Sequence, residues 1–183
     1  MGFLSAAAGI GVGLWSRVAR AARIRPPGAA PEDEFRRRCI RCFRCAEVCP
    51  TLAIRLGPAP ALDGAELPYL EVDQRPCLLC AKCTQVCPTG ALEPLPASIP
   101  ELQSRVKMGT PALDRSRCFP WRGEGVCRLC LDVCPYPGSA VVLVGLHQGP
   151  LFEPAKCVGC GLCAEACPSL ARAIRILPPG GPA

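Results

Sequence analysis

Sixteen of the 183 residues are cysteine, and they fall into four groups of four, each closing on Cys-Pro. The first group is Cys39, Cys42, Cys45 and Cys49, the second Cys77, Cys80, Cys83 and Cys87, and the fourth Cys157, Cys160, Cys163 and Cys167. All three read C-x2-C-x2-C-x3-C-P. The third group, Cys118, Cys127, Cys130 and Cys134, has its first gap widened to eight residues, Phe119 to Val126. Three thiolates two residues apart on a tight loop can converge on three irons of one cubane, while the fourth sulfur reaches a neighbouring cluster. All sixteen cysteines are therefore candidate metal ligands and cofactor-binding residues, and the spacing predicts four 4Fe-4S clusters with no sulfur left over. The proline after each fourth cysteine lacks an N–H and fixes φ, which turns the chain away from the ligand.

Other sulfur chemistries fit less well. Disulfides could staple a small secreted protein, but a disulfide framework has no reason to repeat one spacing four times. Structural zinc uses two C-x2-C knuckles separated by a longer stretch, whereas here the third and fourth cysteines follow at once. With a single histidine, His147, sites rich in histidine and most Cys/His or Ser/His catalytic pairs are excluded. No carboxylate pair or phosphate loop offers a catalytic site, so the expectation is an electron carrier and not an enzyme.

The elements that must position these sulfurs are short. Only nine residues are aromatic, while Pro and Gly number 22 and 18, so a large packed core is not expected. Strand-like stretches flank the cysteine groups: 52–56, 69–72, 140–146, 151–152 and 174–177. The repeat of strand, cysteine loop, helical turn and strand has a period near forty residues. The predicted fold is α+β, small and loop-rich, built of tandem dicluster ferredoxin-like units of the bacterial type and ordered by their clusters. The expected division is a leader or N-terminal anchor (1–30), unit 1 (31–97), a proline-rich linker (98–111) with a helical turn near 102–107, unit 2 (112–178) and a tail (179–183). Sequential pairing would give Cys39, Cys42 and Cys45 the partner Cys87, and Cys77, Cys80 and Cys83 the partner Cys49. In the second unit, Cys118, Cys127 and Cys130 would join Cys167, and Cys157, Cys160 and Cys163 would join Cys134. A nested pairing of groups one with four and two with three is the alternative; the hairpin-like connectors favour the sequential one.

The net charge of +6 counts cysteines as neutral. Each oxidised cluster with its four thiolates carries roughly −2, so four would bring the loaded chain to about −2. Arg36, Arg37, Arg38, Arg41 and Arg44 surround the first group, either as a positive field favouring the reduced state or as a solvated face. No aromatic residues interleave with them, so a nucleic-acid role has little support.

Phe3 to Trp15 is an apolar run of thirteen residues followed by Arg17, Arg20, Arg23 and Arg25. It is short for a bilayer span, which takes about twenty residues, and suits the apolar region of an export signal. Export of a folded, cluster-loaded protein calls for a twin-arginine signal, so an arginine pair is expected upstream of the Gly2-Phe3-Leu4-Ser5 start. An uncleaved amphipathic anchor is the alternative. Gly9, Gly11 and Gly13 follow no strand and make a poor dinucleotide fingerprint. His147 reads as a surface turn residue, and Trp121, inside the widened gap, as a shield over the third group, with docking of a partner as the alternative.

The stretch Arg25 to Pro50, with its arginine–proline entry into group one, and Met108 to Pro168, with the widened group three, resemble the MauM/NapG family of ferredoxin-type proteins. Group two is more compact than the NapG-type pattern. The resemblance implies an exported, membrane-associated electron carrier with four 4Fe-4S clusters, placed in the periplasm or on the periplasmic face of the inner membrane; without the export signal it would be cytoplasmic. Its implied partners are a membrane quinol-oxidising protein and a terminal oxidoreductase, either a nitrate reductase-like enzyme or a methylamine-related system. The alternatives are an electron-transfer subunit of a molybdenum or hydrogenase-type complex and a cluster-bearing maturation factor.

Overall fold

The computed structural model describes residues 23–58 and 66–179. The export-signal or anchor reading of 1–30 therefore falls largely outside the described residues, as does most of the tail. Among the described residues no helix is long and apolar enough to cross a membrane.

The chain first forms α1 (Glu32–Arg38). Acidic residues fill its first turn and arginines its last, complementing the helix dipole at both ends. Its one fully buried side chain is Phe35. One-turn helix α2 (Arg44–Glu47) then leads into the antiparallel hairpin β1 (Ile54–Pro58) and β2 (Glu66–Leu70), and α3 (Lys82–Gln85) follows the second cysteine loop. Connector helix α4 (Ile99–Arg105) has Pro in its first turn. The second half repeats the order: β3 (Thr110–Leu113), α5 (Phe119–Arg122), α6 (Leu129–Asp132), hairpin β4 (Val141–Val144) with β5 (Gly149–Phe152), α7 (Leu162–Glu165) and β6 (Ile174–Leu177).

Each half closes on itself. β6 pairs antiparallel with β3, Leu113 opposite Ile174, and the equivalent closure in the first half is the bridge between Ala29 and Leu92. Two-stranded sheets of this size are not stable alone. They are held by a single apolar cluster that runs through both halves, from Phe35, Leu67 and Val72 to Leu102, Val141 and Val158.

The result is the small, mixed helix-and-strand architecture expected. β6 falls where the sequence places it, and α4 starts three residues before the expected turn. Three elements were not foreseen: α1, α5 inside the widened gap, and β3. Packing also shifts the edges of the expected division. Residues 24–30 belong with the first half, since the Leu70 N–H donates to the Ile24 carbonyl (2.8 Å) and Ile24 is buried. β3 begins at Thr110, inside the expected linker, because it is the pairing partner of β6.

Candidate metal centres

The cysteine loops have a shared backbone device. In the first loop Arg41 and Phe43, the residues on either side of Cys42, have positive φ (59° and 65°). Leu79 and Ala81 flank Cys80 in the same way (both 55°), and Gly159 and Gly161 flank Cys160 (76° and 84°). These left-handed residues curl each loop so that its three sulfurs share one side and successive N–H groups line a concavity, an arrangement that favours anionic centres such as iron–sulfur clusters. For residues with side chains the conformation is costly, of order 1–3 kcal/mol each, and persists only where the surroundings impose it. The third loop departs from this pattern: its widened gap turns instead at Gly123 and Gly125, with φ of 75° and 126°.

Tertiary structure then brings in the fourth sulfur. One cavity is lined by Cys39, Cys42, Cys45 and Cys87 together with Phe35 and Leu92. A second is lined by Cys118, Cys127, Cys130 and Cys167, roofed by Phe119 and Pro120. A third is lined by Cys157, Cys160, Cys163 and Cys134, with Tyr136 and Phe152. The remaining four, Cys77, Cys80, Cys83 and Cys49, act on one another electrostatically: the Cys83 thiol is pushed up to about 12 by burial first and then by Cys77, by Cys45 of the first tetrad, and by Cys80 and Cys49, while Cys77 is raised by burial first and then by Cys49 and Cys80. The structure thus places all sixteen predicted cysteines in four tetrads, in the sequential arrangement and not the nested one. The antiparallel closures at Ala29/Leu92 and β3/β6 are the reason, since each returns the second cysteine group of a half to the first.

No sulfur is joined to another in a disulfide. Nor do three or more Cys, His, Asp or Glu side chains converge as one metal ion requires, among the described residues. Burial pushes Cys45 and Cys130 up to about 11 and Cys160 up to about 12, with neighbouring cysteines adding to the rise, and it raises Cys163 further still. Bare thiolates are therefore disfavoured there, and a cationic centre must displace the protons to bind.

The fourth cysteines differ between the halves. Burial also acts on Cys49, but the Thr51 hydroxyl (3.6 Å) and the N–H groups of Ala53, Ile54 and Thr51 outweigh it and lower its pKa. Cys87 is lowered likewise by Leu92 N–H (3.4 Å), Thr89 and Ala91. Cys134 receives only Tyr136 N–H (3.4 Å), and burial leaves its pKa raised. The Cys-Pro-Thr sequence of groups one and two carries this difference, a signal that sequence reading did not use.

Around these centres, some side chains fall where expected and others do not. His147 sits in the exposed turn of the β4–β5 hairpin. The Trp121 ring does not line its neighbouring cavity. Its Nε1–H donates to the Pro150 carbonyl (3.1 Å) and Arg115 stacks over it, so the shielding falls to Phe119 and Pro120, while the Trp121 backbone N–H reaches the Cys118 sulfur. The arginines of the first group divide: Arg36 and Arg38 pair with Glu32 and Glu34 on α1, while Arg37, Arg41 and Arg44 are exposed. A cavity of about 530 Å³ lies apart from the sulfurs; among its charged residues Arg25 is paired with Glu32 and Arg105 with Glu93.

Comparison with known proteins shows the cofactor class and the family. Residues 38–91 match a 4Fe-4S dicluster domain and residues 150–172 a 4Fe-4S binding domain. Methylamine utilization ferredoxin-type protein MauM of Methylophilus methylotrophus is 40% identical over 179 residues, covering 90% of this chain and 75% of that protein. Ferredoxin-type protein NapG of Escherichia coli K12 is 34% identical over 187 residues, covering 94% of this chain and 79% of its own. The chain belongs to the MauM/NapG family of ferredoxin-type proteins. It is accordingly a 4Fe-4S electron-transfer protein of the MauM/NapG type.

Proposed function

We propose that this MauM/NapG-type protein carries four 4Fe-4S clusters in two dicluster units and passes single electrons from a membrane quinol-oxidising protein to a periplasmic oxidoreductase. Cys39, Cys42, Cys45 and Cys87 would hold the first cluster, and Cys77, Cys80, Cys83 and Cys49 the second. Cys118, Cys127, Cys130 and Cys167 would hold the third, and Cys157, Cys160, Cys163 and Cys134 the fourth. The observation that carries the reading is the exchange of fourth cysteines within each half, which leaves no sulfur outside a tetrad.

When bound, each cluster supplies a centre that takes up and releases one electron with no bond made or broken. The chain's own residues do the rest. The cysteines anchor the centres, backbone N–H groups and the Thr51 and Thr89 hydroxyls stabilise charge on sulfur, and Phe35, Leu92, Phe119 and Pro120 exclude water. Periplasmic placement and the two partners rest on the family relationship alone.

Anaerobic purification with iron and acid-labile sulfide analysis tests the centres: about sixteen irons per chain support four clusters, and about eight would refute the assignment. Deletion in the native host tests the role. Loss of a relay blocks electron flow to a terminal enzyme that still holds its own cofactor, whereas loss of that cofactor would indicate a maturation factor.

A further inference from the structure

The two halves meet at their inner cysteine loops. The Cys77 N–H donates to the Cys160 carbonyl at 2.8 Å, joining the second tetrad directly to the fourth. Around this bond Gly161 lies against Val72, the Asp73 carboxylate accepts the Ile176 N–H at 2.9 Å, and the Met108 N–H donates to Val158 at 3.0 Å. Within each half, the exchanged fourth cysteine ties the two tetrads together across paired one-turn helices, α2 beside α3 and α6 beside α7. Among the described residues, no hydrogen bond or ion pair links the loops 39–45 or 118–130 to the opposite half.

We propose that the four sites form one unbranched series in the order first, second, fourth, third, and that the electron crosses between the halves only at the Cys77–Cys160 contact. This order deepens the relay reading above and rests on it. Sequence order would place the third tetrad after the second. The structure instead turns the second half round, so that its C-terminal cysteine group faces the first half and its widened loop lies at the far end. The terminal sites are then the first, whose Cys42 is exposed between the exposed Arg41 and Arg44, and the third, bordered by Val126 and Leu129 at 62% and 43% exposure. Both ends also expose apolar side chains, Ile40 and Phe43 at the first site and Val126 and Leu129 at the third, so donor and acceptor would dock on opposite halves.

Each transfer reduces one centre and oxidises its neighbour by a single electron, with the quinol-oxidising partner as the source. Magnetic coupling between reduced centres reads their adjacency without any activity assay. Two double variants are compared by EPR after anaerobic reduction. C42A/C127A removes the terminal sites and is expected to keep a split, fast-relaxing spectrum from the inner pair. C80A/C160A removes the inner sites and is expected to give two unsplit, independent signals. An uncoupled inner pair, or a coupled outer pair, would overturn the order. Iron near half the wild-type value in each variant shows that the remaining sites are loaded, and an iron-free wild-type chain would overturn the relay reading together with the order. Hydrogen exchange on the unsubstituted, loaded protein gives a measurement free of ligand loss: the Cys77 amide should be among the slowest in its loop, and exchange as fast as that of its exposed neighbours would refute the junction.

Discussion

Ala81 and Gly161 occupy the same place in their loops, just after the second cysteine, and both are left-handed, with φ of 55° and 84°. What separates them is packing. A Cβ on Gly161 would stand 2.7 Å from the Val72 Cβ, with the Val72 carbonyl oxygen closer still, whereas the buried Ala81 methyl is accommodated. Left-handed backbone costs a residue with a side chain about 1–2 kcal/mol. In Ala81→Gly that relief is offset by about 0.5–1 kcal/mol of glycine entropy and about 0.8 kcal/mol for the lost buried methyl, so stability should stay within about 1 kcal/mol of wild type. In Gly161→Ala the strain appears, lessened by the same entropy, and an overpacking cost of about 1–3 kcal/mol is added because the obstacle is backbone. The expected loss is roughly 2–4 kcal/mol, borne at the contact between the halves. Anaerobic guanidinium titrations of the loaded protein, followed by circular dichroism and by cluster absorbance, would measure both. The Gly161→Ala midpoint should fall well below that of Ala81→Gly. Equal midpoints would refute the close approach of Val72 to the fourth loop and with it the energetic basis of the junction.

Cys42→Ala should remove about four irons per chain and leave the other centres, as iron analysis and EPR spin counting would show. Thr51→Val and Thr89→Val each remove a hydroxyl beside a fourth cysteine, at 3.6 and 3.8 Å, and should lower the midpoint of the site that cysteine serves. A hydrogen bond of about 0.5–1.5 kcal/mol corresponds to about 20–60 mV for one electron, within reach of a redox titration. Burial raises the Asp73 carboxyl above its ordinary 3.8, against the bond from Ile176 N–H and the charges of Arg175 and Arg172. The folded state then binds the proton more tightly than the unfolded state, so stability falls as pH rises from 3.8 through the raised value. Asp73→Asn should remove that slope while keeping an acceptor for Ile176, whereas Asp73→Ala should cost about 1–3 kcal/mol by stranding the Ile176 N–H. Unfolding midpoints measured across pH distinguish the two.

The centres were legible in the sequence because three of the four ligands in each group are local. In groups one, two and four, two-residue spacing on a tight loop leaves the first three sulfurs one common side, whatever the rest of the chain does; in group three only Cys127 and Cys130 are so spaced. The strand at 174–177 was legible for a similar reason, since an alternating apolar run carries its own signal. Helix α1 was hidden because its arginines, beside the first cysteine group, invited an electrostatic reading; the acidic turn at Glu32–Glu34 that complements them was the missed cue. Trp121 was misplaced because sequence gives its position in the widened gap but not the Pro150 carbonyl that captures it.

Where each fourth cysteine goes could not be read from spacing. Sequential and nested pairings satisfy the same sulfur count, and the choice between them rests on strand closures joining residues more than sixty apart in the chain, Ala29 to Leu92 and β3 to β6. The left-handed turns at Arg41, Phe43, Leu79 and Ala81 were equally invisible, because those residue types do not favour the conformation and only the surrounding loop imposes it. The contact between Cys77 and Cys160 likewise exists only in three dimensions. Local covalent geometry decided what the chain can bind, and long-range packing decided in what order the bound centres stand.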